Sequence, residues 1–214
     1  MPKTLTRPAW LLMMILSLLV ALTAYRYLPR LGPLADNVMA NRFVDPFLFV
    51  HVAGAATALL VGPFQVLPGL RGHWPGLHRL LGRIYVLGCL SGGVGGVALA
   101  LGATAGPIAT AGFGLLGAAW IVTTTLAWRR AVQGRIAEHR AWMIRSFALT
   151  LAAVTLRLYL PLAAMGPLPF VEAYRAIAFL CWVPNLLLAE AWLFAAPGPA
   201  SSRSLSPSPA AAGR

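Results

Sequence analysis

Six stretches of about 20 apolar residues, each nearly free of charge, constrain this chain more than any other feature of it. They cover roughly 9–25, 46–67, 84–103, 108–128, 141–164 and 171–195. In lipid every main-chain N–H and C=O must be satisfied within the protein, so segments of this length cross as helices. The predicted fold is all-α: a polytopic bundle of six transmembrane helices. Composition agrees, with 59% hydrophobic and only 10% charged residues, whereas a soluble domain carries about 25% charged. A soluble globular domain and a disordered chain are excluded on that ground, and the two cysteines exclude a disulfide scaffold. The first stretch follows Lys3 and Arg7 as a secretory signal would, but its length and its poor cleavage pattern predict an uncleaved anchor. The expected organisation is one six-helix domain over 1–196, with the core in the helices of 46–164 and the first helix peripheral. A Pro-, Ser- and Ala-rich tail over 197–214 is predicted to be disordered.

The net charge of +12 invites a nucleic-acid reading until the charges are placed. Twelve of the 17 basic residues fall on one side: Lys3, Arg7, Arg71, Arg79, Arg83, Arg129, Arg130, Arg135, Arg140, Arg145, Arg203 and Arg214. Cytoplasmic loops retain Lys and Arg, so both termini are predicted to be cytoplasmic. The surplus is a topology signal, and the expected surroundings are a lipid bilayer rather than nucleic acid. A small-molecule ligand and a homo-oligomer are both compatible with it.

Helix faces can be read from spacing. Gly88, Gly92 and Gly96 make two successive GxxxG steps, and His78, Gly82, Tyr85 and Cys89 fall close to the same line. Small residues let membrane helices approach closely, so this stripe should face protein. His51, Ala55, Ala58, Gly62 and Gln65 form a second stripe. In the fifth stretch His139 and Arg157 are 18 residues apart, five turns of one helix, with Ser146, Thr150 and Ala153 between them. Those small polar residues read as packing. An arginine within a span reads as paired or functional.

Two segments carry further pattern. His78-Arg79-Leu80-Leu81-Gly82-Arg83-Ile84-Tyr85 enters the third helix, and Glu138-His139-Arg140-Ala141-Trp142-Met143-Ile144-Arg145-Ser146 enters the fifth. With the run Ala153-Val154-Thr155-Leu156-Arg157 they resemble a family of bacterial predicted membrane proteins known only as a domain of unknown function. The resemblance covers about 51–185 and implies a multi-pass protein of a bacterial inner membrane, without an activity. A weaker likeness is to the six-helix cytochrome b561 group, whose histidines on four central helices hold two haems. That likeness implies a third-with-fifth pairing, met here by His78 and His139. The second-with-fourth pairing fails, because the fourth stretch has no histidine to face His51.

Two clusters of chemistry follow. Near the outer side stand His51, Arg157 and Glu172, with Asp45 just beyond. An imidazole beside an arginine–carboxylate pair could hold a quinone carbonyl or relay a proton, and a satisfied packing histidine is the plainer alternative. Arg157 is expected to pair with Glu172. Near the cytoplasmic side stand His78, His139, Arg79, Arg83 and Arg140, with Glu138, Arg145 and Glu190. The histidines could be axial ligands of a haem b iron, one of the two acids fixing a tautomer and the arginines serving propionates, a quinone or phosphate. Alternatively the cluster anchors helix ends to anionic headgroups. No CxxC, P-loop or HExxH is present. The leading expectation is a membrane redox protein binding haem b or quinone. A small-solute or proton-coupled transporter and a lipid-binding or assembly protein are the alternatives.

Overall fold

The structure is a computed structural model describing residues 7–195. Lys3, Arg203, Arg214 and the tail from 197 onward, with the expectation of disorder there, lie outside the described residues. Chain order gives α1 (Arg7–Tyr25), α2 (Asp36–Met39), α3 (Val44–Gln65), α4 (Pro68–His73), α5 (Pro75–Leu101) and α6 (Pro107–Val132). It continues with α7 (Ile136–Thr150), α8 (Ala152–Met165), α9 (Phe170–Leu180) and α10 (Val183–Ala195). Among the described residues six helical stretches are long and apolar enough to cross a membrane: α1, α3, α5, α6, α7 with α8, and α9 with α10. One end of the bundle carries Arg71, Arg129, Arg130, Arg135 and Arg140 and is called the basic end below; the other carries the 26–43, 102–106 and 166–169 connections.

Glycine sets the central contact. α3 and α5 run antiparallel with their small-residue stripes meshed. A Cβ added to Gly88 would come within 2.7 Å of the Gly54 carbonyl, and one on Gly92 within 2.8 Å of the Ala55 nitrogen. Hence the GxxxG run does face protein, with Gly88 and Gly92 against small residues of α3 and Gly96 against the His51 ring. At one end of this seam His51 lies against Gly92 and Gly96, and at the other Gln65 lies against Gly82. α6 packs on the far side of α5 and against α7 and α9, and α1 rests on α3 and α8.

The fifth crossing is not the single helix that the 18-residue spacing implies. α7 ends at Thr150 and α8 begins at Ala152. The sixth crossing breaks at Cys181–Trp182, just before Pro184, which has no N–H to continue a ladder. The two breaks are neighbours, since Ala152 and Cys181 share one buried cluster with Ile177. Asn185 links them: the two hydrogens of its amide nitrogen are shared among Thr155 Oγ1 at 2.9 Å, the Cys181 carbonyl at 3.1 Å and, more weakly, the Ala148 carbonyl at 3.4 Å. The carbonyl of Ala148 would otherwise accept from residue 152 in an unbroken helix. The Trp182 indole N–H likewise donates to the Ala178 carbonyl at 3.0 Å, taking the place of its own main-chain N–H, which turns to Phe179.

Candidate functional site

The interior of the bundle is polar at mid-depth. Five side chains from α5, α6 and α7 form one hydrogen-bonded group: Tyr85, Trp120, Thr124, Ser146 and Thr150. Its proton order follows from valence. Thr150 donates to the Ser146 carbonyl (2.9 Å) and accepts the Trp120 indole N–H (2.9 Å), so Tyr85 must donate to Thr150 (2.8 Å). Ser146 then donates to Tyr85 (3.0 Å), and Thr124 donates to Ser146 (2.7 Å). All four hydroxyl hydrogens and the indole hydrogen are used. The group is complete, and Tyr85 joins the third crossing to the fifth.

Beyond Thr150 and Trp120, toward the end opposite the basic loops, the helices part around a cavity of about 630 Å³. Its polar lining includes Arg26, Asn37, His51, Thr150, Arg157 and Tyr174, set among apolar and aromatic walls. His51 comes from α3 and Arg157 from α8, and the cavity is where they meet. His51 Nδ1 lies 2.7 Å from the Gly92 carbonyl. A carbonyl oxygen only accepts, so Nδ1 carries the hydrogen, and in the neutral ring Nε2 keeps its lone pair. Gly96 makes room for the ring, because a Cβ there would stand 3.1 Å from Nδ1.

Arg157 corrects an expectation. It does not pair with Glu172, which is exposed on α9 and lines none of the cavity. Its one hydrogen bond among the described residues runs from Nη1 to the Ala153 carbonyl one turn back, at 3.0 Å. Asp45 is also taken: it pairs with Arg30 at the surface. The 18-residue spacing did set Arg157 on the side of Thr150 and Ala153, which line the cavity with it; what the spacing could not supply is the placement of Glu172, exposed on another helix. Among the described residues no carboxylate pairs with Arg157, so a guanidinium at membrane depth faces a cavity with most of its donors free.

The basic end collects the other residues. His78 stands on α5 and His139 on α7, close enough for their charges to act on each other, with Arg71 alongside. His139 Nδ1 is held by the Ala127 carbonyl at 2.9 Å. That carbonyl, not an acid, fixes the tautomer. Glu138 is engaged by Arg130 and Arg135 instead, and Glu190 by Arg145 through contacts of 2.5 and 2.8 Å. Arg79, Arg83 and Arg140 are exposed. His73 bonds the Gly69 carbonyl within its own short helix. Among the described residues no group of three or more His, Cys, Asp or Glu side chains converges as a metal site. Sequence reasoning missed Asn185, Arg26, Asn37 and Tyr174. Asn185 had a signal, an amide directly after a proline inside an apolar span.

These features define a class: a polytopic α-helical membrane protein with a satisfied polar core and a cavity between its helices. Within that class the chain belongs to the family described as predicted membrane protein, DUF2306, which matches residues 48–193 of the 214. The matched region holds the α3–α5 seam, the polar core, both breaks and Arg157. No curated protein and no solved structure matches the chain.

Proposed function

We propose that this protein binds an amphipathic carbonyl-bearing molecule of the quinone class in the cavity between α3, α5 and α8. The observation that carries the reading is Arg157, a cation without a carboxylate partner among the described residues, facing that cavity together with His51. A guanidinium donates and the free Nε2 of a neutral imidazole accepts. A quinone offers carbonyl acceptors to the first, and the reduced form offers a hydroxyl to the second. The aromatic and aliphatic walls suit the ring and its apolar tail. In this reading His51 exchanges a proton with the bound headgroup, Arg157 orients it and screens negative charge on it, and the electron partner is a separate molecule. Both termini lie in the cytoplasm of a bacterial inner membrane, which places the cavity toward the outer side.

The test is a thermal-shift titration of the purified full chain in detergent with a decyl-substituted benzoquinone. A saturable rise in melting temperature is expected, lost in His51→Leu and in Arg157→Leu and retained in Glu172→Gln. No rise in the wild type, or equal rises in both cavity variants, overturns the reading.

Transport of a small solute is the second reading, and one observation favours it. Discontinuous helices at mid-depth beside a cavity are the usual setting of transporter sites, and both breaks border this one. Movement of an anionic solute into vesicles containing the protein, absent with Arg157→Leu, would support it over quinone binding.

A further inference from the structure

The cavity leaves the opposite end of the α3–α5 seam unexplained. Gln65, the last residue of α3, is 8% exposed, and its amide nitrogen has no hydrogen-bond partner. The side chain lies against α5, with Oε1 3.5 Å from where a Cβ on Gly82 would be. One turn nearer the basic end on the same helix, His78 Nδ1 is also buried and without a partner. Arg71 reaches over from α4, its Nη1 donating to the Gln65 carbonyl at 3.3 Å. Arg140 and His139 of α7 come near Arg71 and His78 at this point.

Left to itself this arrangement is costly. Two arginines gather, and a buried amide donor is left without an acceptor. The acids of this end do not relieve it, since Glu138 serves Arg130 and Arg135 and Glu190 serves Arg145. What is missing is an acceptor carrying negative charge. Beside the cluster an apolar groove of about 480 Å³ runs along Leu67, Leu70, Trp74 and Leu77, open to the surroundings.

We propose that Gln65, Arg71, His78 and Arg140 form an anion site at the basic end that takes a phosphate group, either free or as the headgroup of a lipid whose chain lies in the Leu67–Leu77 groove. Gln65 supplies a neutral donor from within, the two arginines supply charge from the rim, and His78 donates through Nδ1. Phosphate oxygens accept from all four, and arginine suits them in particular. The site is independent of the quinone cavity, so the two readings fail separately.

The experiment uses the purified full chain in detergent and follows its melting temperature with inorganic phosphate, with dioctanoyl phosphatidylglycerol, and with sodium chloride at matched ionic strength. A saturable rise above the chloride control is expected. A rise with phosphate alone identifies a free phosphate ligand, and a rise only with the lipid identifies a headgroup. Gln65→Leu should raise the half-saturating concentration about tenfold or more without lowering the melting temperature of the unliganded protein, because it removes the stranded amide. Arg140→Gln, at an exposed position, should weaken binding similarly should the leucine variant fold poorly. The proposal is overturned if neither probe exceeds chloride, or if both variants bind as the wild type does. A Soret band in the purified protein that is lost in His78→Ala or His139→Ala would also overturn it, assigning the cluster to a haem.

Discussion

Each hydroxyl hydrogen in the polar core has one place to go, and that order makes Tyr85 its most sensitive member. Tyr85→Phe keeps the ring against Phe147 but removes the acceptor for Ser146 and the donor to Thr150. Two bonds are lost, and in membrane bundles each interhelical bond contributes about 0.6 kcal/mol and at most about 1.7. The expected loss is about 1–3 kcal/mol, read from reversible unfolding in mixed micelles, and Thr124→Val should cost less because it ends the chain of donors. Much of this was legible in the sequence: Tyr85 fell on the glycine line, and Ser146 and Thr150 fell on one face of the fifth crossing. Assigning those two to packing understated them. Periodicity places a hydroxyl on a face but cannot say that another helix brings a phenol and an indole to it.

At the scale of the element, the glycine stripes were readable because small residues recur at the helical period on two segments, and their meshing needs no further information. The break before Pro184 was readable from that proline, and the one at Leu151 was not. Residues 136–165 are apolar with good helix formers around Leu151, and nothing local stops the helix there. The interruption is held from outside, by an amide on α10 that occupies the carbonyl α7 would otherwise use itself. The same distance in sequence hid the error at Arg157, since the period of one helix cannot say that Glu172 of another faces outward. Asn185→Leu should therefore act on both crossings at once. Removing its nitrogen loses the bond to Thr155 and frees the Ala148 carbonyl to accept from residue 152, for an expected cost of about 0.6–1.7 kcal/mol. Hydrogen exchange should change beside Leu151 as well as around Cys181, and a change confined to α10 would refute the link.

For the whole molecule, the asymmetry of the arginines predicts orientation. A reporter active only outside the cytoplasm should be silent when fused after Arg135 and active after Gly106; activity after Arg135 would invert every statement about which side the cavity faces. The bundle also has a direction in time. Arg145 of α7 is clasped by Glu190 through two contacts, and Asn185 of the same final helix secures the break beside Leu151. A ribosome delivers residue 145 well before residue 190, so during synthesis the fifth crossing waits with a cation not yet paired. Its acid arrives with α10. A nascent chain cut short before that helix keeps its other apolar spans and can still enter the bilayer, but it carries a bare arginine that the finished protein neutralises, which gives membrane quality control a chemical mark of incompleteness.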